Sequence, residues 1–271
     1  MLRVALCQLT SATDPERNLS LIREGVAEAA RGGARVVILP EAAMARFGVP
    51  LGPLAQPVEG PWARAVGAIA DEHDVLVVAG MFTPAGERVR NTLLVTGLGE
   101  HTGYDKIHLY DAFGFRESDT VEGGSSLVTV TVDDVKLGVA TCYDVRFPEL
   151  FQSLADAGTS AVALPASWGA GEGKREQWEL LVRARALDSG NWILACGQAD
   201  PAATGTEVNP KAPTGIGHSL VADPFGVVAA RLGAGPGLLL ADIEPSVAEK
   251  SRSATAVLAN RTLHEGRTGR R

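Results

Sequence analysis

The sequence predicts an α/β protein with one domain over residues 1–271 and more strands than a simple doubly wound sheet requires. Three observations carry this. Short aliphatic and β-branched runs recur along the chain, amphipathic helical patterns alternate with them, and no repeat or low-complexity tract interrupts the alternation. With 45% hydrophobic and 21% charged residues in 271, the chain has ordinary globular usage and can build a core without disulfide or metal staples.

The elements follow in order. "VALCQL" reads as a strand. Asp14 then caps a helix with Pro15 in its first turn, and Gly32-Gly33 stops it. Leu19, Ile22, Val26 and Ala29 share one face of that helix. "ARVVIL" is a second strand, and "GPWARAVGAIADEHD" repeats the helical scheme with Pro61 near its start. "VLVVAG" and "NTLLVT" are strands, after which a turn in "GEHTGYDK" leads to Lys106. "SLVTVTV" alternates and suits a strand with one polar face, while "KLGVAT" is apolar almost throughout. "FPELFQSLADAG" and "GKREQWELLVRARALDSG" are helices separated by the strand "SAVALP". "NWILACG", "GHSLVAD" and "GLLLADI" complete the strands. The arginine-rich "NRTLHEGRTGRR" reads as a solvated end or a partner contact.

Charge and cysteine usage exclude several classes. A net charge of −7 argues against non-specific nucleic-acid binding. "MLRVALCQLT" is too short and too quickly polar for a signal peptide, and no apolar run approaches the ~20 residues of a membrane span. A cytoplasmic location is expected. Cys7, Cys142 and Cys196 are odd in number and widely spaced, which disfavours a disulfide framework. The five histidines do not cluster, so a zinc site has little support.

Three reactive side chains stand where apolar runs stop: Glu41 after "RVVILP", Lys106 in its turn, and Cys142 after "KLGVAT". In open α/β sheets ligands gather beyond the carboxyl ends of strands. A thiol needs a base or a cation to become a nucleophile, and no histidine here has a strong claim: His108 lies in the Lys106 segment, and His218 can face either core or solvent. A carboxylate can take the thiol proton, and Lys106 can favour the thiolate and stabilise an oxyanion. The backbone N–H of Tyr143 joins that second task if "CYDVRFPEL" turns sharply into its helix. Cys7 and Cys196, flanked by apolar residues, read as core. "GHSLV" has Val221 where a serine nucleophile elbow wants glycine, and "EGGSS" matches no phosphate loop.

"LPEAAM", "YDKIHLYD" and "GVATCYDVRFPEL", in that order, resemble the three signature blocks of the nitrilase superfamily of carbon–nitrogen hydrolases. The likeness runs from "ALCQL" to "GHSLVADPFG". It implies a four-layer α-β-β-α sandwich with two central mixed sheets, and a cofactor-free acyl-enzyme mechanism. In that mechanism Cys142 is the nucleophile, Glu41 the base and Lys106 the stabiliser of the tetrahedral species. Glu117 in "FRESDT" matches a second glutamate that positions substrate or supports Lys106. The residues after Cys142 resemble the amidase branch containing ω-amidase and deaminated-glutathione amidases more than nitrilases or carbamoyl-cleaving members. Arg146 matches an arginine that holds a substrate carboxylate, and guanidinium suits that task. The alternative is that Arg146 pairs with Asp144 or Glu149 to fix the turn.

One stretch departs from the branch. After "LPAS" the chain reads "WGAGEGKREQW", with Glu172 near the place of a substrate-binding threonine. A carboxylate there repels an anionic substrate unless Lys174 or Arg175 offsets it. The expectation is an amidase for a small carboxamide, probed against nitrile hydrolysis, N-carbamoyl cleavage and a catalytically silent binding protein. The resemblance also implies a homodimer packed through helices.

Overall fold

Most of the aliphatic runs are too short for helices and rich in residues that suit a pleated surface. The computed structural model, which describes residues 1–209 and 212–262, makes strands of them. The first part of the chain gives β1 (Leu2–Gln8), α1 (Pro15–Arg31), β2 (Val36–Ile38), α2 (Pro61–Glu72), β3 (Leu76–Ala85), β4 (Arg88–Gly97) and β5 (Glu100–Asp105). A small hairpin follows, β6 (Asp111–Ala112) and β7 (Phe115–Arg116). The remainder is β8 (Thr129–Val132), β9 (Val135–Val139), α3 (Pro148–Asp156), β10 (Ala161–Ala166), α4 (Lys174–Ser189) and β11 (Trp192–Gly197). It ends with β12 (Leu220–Ala222), β13 (Val228–Arg231), β14 (Gly237–Ile243) and α5 (Pro245–Thr255).

Two six-stranded sheets result, ordered β14-β1-β2-β3-β4-β5 and β13-β12-β11-β10-β9-β8. Both are mixed. β1, β2 and β3 are parallel, as are β9, β10 and β11, and the flanking strands run antiparallel. Period-2 side-chain alternation explains why the central runs are apolar throughout. In β2, Val36 and Ile38 pack with Leu137, Val139 and Ala163 of the other sheet, whereas Val37 packs under Ile22, Val26 and Val66 of α1 and α2. The second sheet does the same, covering its outer face with Phe151 and Leu154 of α3 and Trp178 and Val182 of α4. The layers are helix, sheet, sheet, helix. Each fully buried Val, Leu or Ile contributes about 1.5–3 kcal/mol, so the sheet–sheet seam is a principal stabilising element.

Three elements differ from the expectation. "GEHTGYD" is not a turn but the edge strand β5, paired with β4 from Gly97↔Glu100 to Thr92↔Asp105. Only Tyr104 in it is buried, so a polar edge strand left no apolar run to read. α5 buries only Ala248 and Ser251, and β13 alternates between half-buried and exposed, which hid both for the same reason. Asp14 caps α1 as expected, its side chain accepting from the Glu16 N–H at 3.1 Å. Of the arginine-rich end, residues 263–271 lie outside the described residues. Among the described residues no helix is long and apolar enough to cross a membrane.

Candidate active site

Glu41 stands just past β2, where the chain crosses over β3. Leu39 N–H donates to Val78 O at 2.8 Å and Met44 N–H to Gly80 O at 2.8 Å, which draws the Pro40–Ala43 backbone onto β3. Gly80 makes the approach possible: a Cβ there would lie 2.4 Å from Ala42 N and 2.8 Å from Glu41 Cα. The Glu41 carboxylate is 1% exposed. It accepts from Ser167 N–H at 2.8 Å, Asn91 Nδ2 at 2.8 Å and Lys106 Nζ at 3.2 Å.

Lys106 follows β5 directly and is held at both backbone ends, its N–H to Asn91 O at 2.9 Å and its carbonyl from Gly124 N–H at 2.8 Å. Its ammonium, 2% exposed, donates to Glu117 at 2.9 and 3.2 Å as well as to Glu41. Burial opposes the charge, but the carboxylates of Glu41 and Glu117 prevail and hold the lysine pKa well above its ordinary value. Glu117 is fixed in turn by Tyr110 N–H at 2.7 Å.

Cys142 comes from the other sheet, at the end of β9. It opens a short 3-10 turn, Cys142–Arg146, with φ +48°, a conformation that costs a non-glycine residue on the order of 1–3 kcal/mol. Asp144 restrains the turn. Its carboxylate accepts from Thr141 N–H at 3.0 Å, Tyr104 Oη at 2.7 Å and His108 N–H at 3.0 Å, and lies 2.8 Å from His108 Nδ1. The turn carrying the thiol is thereby tied to both sides of Lys106, at Tyr104 and His108. The thiol pKa is pushed well above its ordinary value, first by burial and then by the charge of Glu41, against the opposing pull of Lys106. Burial and Glu41 thus favour the neutral thiol.

These residues line one wall of a cavity of about 740 Å³. Glu41, Lys106, Glu117 and Cys142 all reach it, as do Tyr143 and Arg146. Tyr143 lies in the first turn of the 3-10 segment, and its ring packs edge-on against Tyr110 at 5.1 Å. Arg146 pairs with neither Asp144 nor Glu149. Its Nη2 donates to Gln177 at 2.9 Å, and its guanidinium carbon sits 5.2 Å from the centre of the Trp168 ring. Glu172 does not join the site: it is exposed and off the cavity wall, and Lys174 stands there instead, because α4 starts at that residue and turns its first side chain inward.

Asn91 was missed. It bridges Glu41 and Glu117, at 2.8 and 3.2 Å, and a polar residue opening the apolar run "NTLLVT" was the signal available for it. His108 serves Asp144 and stacks on Phe147 at 3.7 Å. His218 is half-buried at φ +56°, and Ser219 spends its hydroxyl on Gln8 at 2.7 Å. Cys7 and Cys196 are buried, and burial lifts the Cys7 thiol to about 12.

A buried thiol facing a carboxylate, with an ammonium fixed beside both, on an α-β-β-α sandwich, defines a hydrolase that attacks carbonyl-type carbon. The chain belongs to the carbon–nitrogen hydrolase family, whose model matches residues 3–253, and is a hydrolase of the nitrilase superfamily. It is 52% identical over 268 residues to the hydrolase Rv0480c of Mycobacterium tuberculosis, covering 96% of each chain. It is 31% identical to a deaminated glutathione amidase of Escherichia coli O157:H7, covering 95% of this chain and 96% of that one. Among solved structures it is similar to Saccharomyces cerevisiae Nit3, a member of branch 10 of the nitrilase superfamily. That match has a TM-score of 0.81 and 26% identity, and covers 93% of each chain.

Proposed function

We propose that this enzyme hydrolyses a small carboxamide bearing a carboxylate to the acid and ammonia, through a thioester on Cys142. One observation carries the reading: Glu41, Lys106 and Cys142 come from two different sheets and converge on one cavity wall. The similarity to an enzyme named deaminated glutathione amidase supports an amide as substrate.

The geometry supports the following steps. As the Cys142 sulfur attacks the carbonyl carbon, its proton passes to Glu41, which avoids a free buried thiolate beside a carboxylate. The carbonyl becomes an oxyanion, stabilised by Lys106 Nζ and the Tyr143 N–H; one such donor is worth about 3–4 kcal/mol. Collapse breaks the C–N bond while Glu41 gives its proton to the departing nitrogen, and ammonia leaves. Water then gives a proton to Glu41 and adds to the thioester. The second collapse breaks the C–S bond, the sulfur recovers the proton, and the acid departs. Glu117 and Asn91 keep Lys106 and Glu41 in place throughout. Arg146, with no carboxylate of its own among the described residues, holds the substrate carboxylate.

Two proposals about its setting accompany this reading. Three unpaired cysteines suit a reducing compartment such as the cytoplasm. The homodimer is assigned to the helical face of α4, where Leu180 and Leu187 are 65% and 45% exposed.

The test is ammonia release from butyramide, succinamate, 2-oxoglutaramate, glutamine, a nitrile and an N-carbamoyl amino acid. Wild type is compared with Cys142→Ser and Arg146→Met. Turnover of the carboxylate-bearing amides, lost about 10³-fold or more in Cys142→Ser, is the expected result. Arg146→Met raises KM for those amides alone. Turnover of neutral amides only would discard the clamp, and turnover only of the nitrile or carbamoyl compound would move the enzyme to another branch. No turnover of any compound, with no acyl adduct on Cys142 by mass spectrometry, would favour a silent binding protein.

A further inference from the structure

Lys174 lines the same cavity as Cys142 and Arg146. Its carbonyl accepts a hydrogen bond from Trp168 Nε1 at 2.9 Å, and the Arg146 guanidinium lies over the same indole. One tryptophan thus fixes the footing of both cations. Neither has a carboxylate partner among the described residues. Arg146 spends Nη2 on the neutral Gln177, and its Nε is buried without a partner. The Lys174 ammonium rests on the face of the Phe113 ring, 3.8 Å from its centre.

Among the described residues no carboxylate on the wall pairs directly with either cation. Glu41 and Glu117 are both engaged by Lys106, and Glu87 is exposed at the turn between β3 and β4. Burial and the neighbouring Arg146 charge both lower the proton affinity of Lys174. Two like charges that lack a direct carboxylate partner and share a partly desolvated cavity raise each other's energy, and an anion bound between them relieves it.

We propose that Lys174 is a specificity residue which, together with Arg146, receives two acidic groups of one substrate, so that the preferred amide is a dianion. This rests on the amidase reading above and narrows its substrate class. One carboxylate satisfies Arg146 and the second replaces the Phe113 face as the partner of Lys174. The carbon chain then lies against the apolar part of the wall, which includes Phe47, Leu51 and Val89. The departure at "WGAGEGKREQW" is the sequence feature that installs this second cation.

The probes are butyramide, succinamate and the monoamide of tricarballylate, which carry none, one and two carboxylates. Wild type should raise kcat/KM by about tenfold or more from succinamate to the dianion, the effect of one added partly buried charge contact. Lys174→Met should shrink the step from succinamate to the dianion to within about twofold, acting through KM and not kcat. A variant that weakens all three amides equally, or a step that survives it, overturns the proposal. Calorimetric binding of the same amides to Cys142→Ala, with and without Lys174→Met, needs no turnover. Tighter, Lys174-dependent binding of the dianion sustains the cation pair even if wild type releases no ammonia, in which case only the amidase reading fails. Equal binding of succinamate and the dianion refutes the pair whatever the turnover.

Discussion

Glu117 grips Lys106 through both of its carboxylate oxygens, at 2.9 and 3.2 Å, more tightly than Glu41 does at 3.2 Å through one. The lysine is therefore held by a residue that leaves Glu41 available to the thiol. Glu117→Gln should lower kcat roughly 10- to 100-fold while KM changes little, because it removes preorganisation and not a binding contact. The pH profile gives a second readout. With its pKa raised, Lys106 keeps its charge, and the stability that goes with it, until pH rises past the ordinary 10.5. No alkaline limb from Lys106 is expected below that pH in wild type. In Glu117→Gln one of the raising charges is gone while burial still lowers the pKa, so the limb should move down. An unmoved limb would show that Glu117 does not set the state of Lys106.

The burial of Cys142 beside Glu41 has its own consequence. Thiolate absorbance, read as the difference between wild type and Cys142→Ala, should stay flat through the ordinary thiol range near pH ~8.5. The sign follows from burial and Glu41, which both disfavour the anion. A thiolate signal at neutral pH would mean a preformed ion pair with Lys106, and the mechanism would lose its general base.

Gly80→Ala tests the crossing of the Glu41 backbone over β3. A methyl 2.4 Å from Ala42 N must push the two segments apart. Overpacking of this kind costs about 1–3 kcal/mol, and here it also displaces the base, so Tm and kcat should fall together. Gly233→Ala is the control, since nothing lies within 4 Å of its added methyl. Equal effects of the two substitutions would refute the close-approach argument.

Asp144→Ala should destabilise by about 3 kcal/mol or more, because it strands buried donors on Thr141 and Tyr104 and a half-buried one on His108 at once. Chemical denaturation measures that loss. The Cys142 turn, no longer held at positive φ, should relax, and kcat should fall further than the stability loss accounts for at a temperature where the variant is folded.

For the oligomer, Leu180→Glu with Leu187→Glu places charges on the exposed apolar face of α4. Sedimentation should show a wild-type dimer and a folded monomeric variant. A wild-type monomer at micromolar concentration would end the homodimer assignment.

The sequence by itself determined the alternation of strand and helix, because side-chain periodicity and caps are local. Asp14, Pro15, Pro61 and Pro148 mark helix starts that the structure keeps. Motif order also named Glu41, Lys106 and Cys142 before any geometry was known. β5 and α5 were illegible because a polar edge strand and a mostly solvated helix bury too few side chains to leave a pattern. Tertiary structure alone decided which partners those residues have. Asn91 reaches Glu41 across 50 positions, Ser167 N–H reaches it across 126, and Arg146 finds Gln177 and Trp168 where Asp144 or Glu149 lay closer in sequence. The physical reason is that a hydrogen bond or an unneutralised charge depends on distance in space. Two sheets must stack before one strand end can meet another, and no local pattern records that stacking.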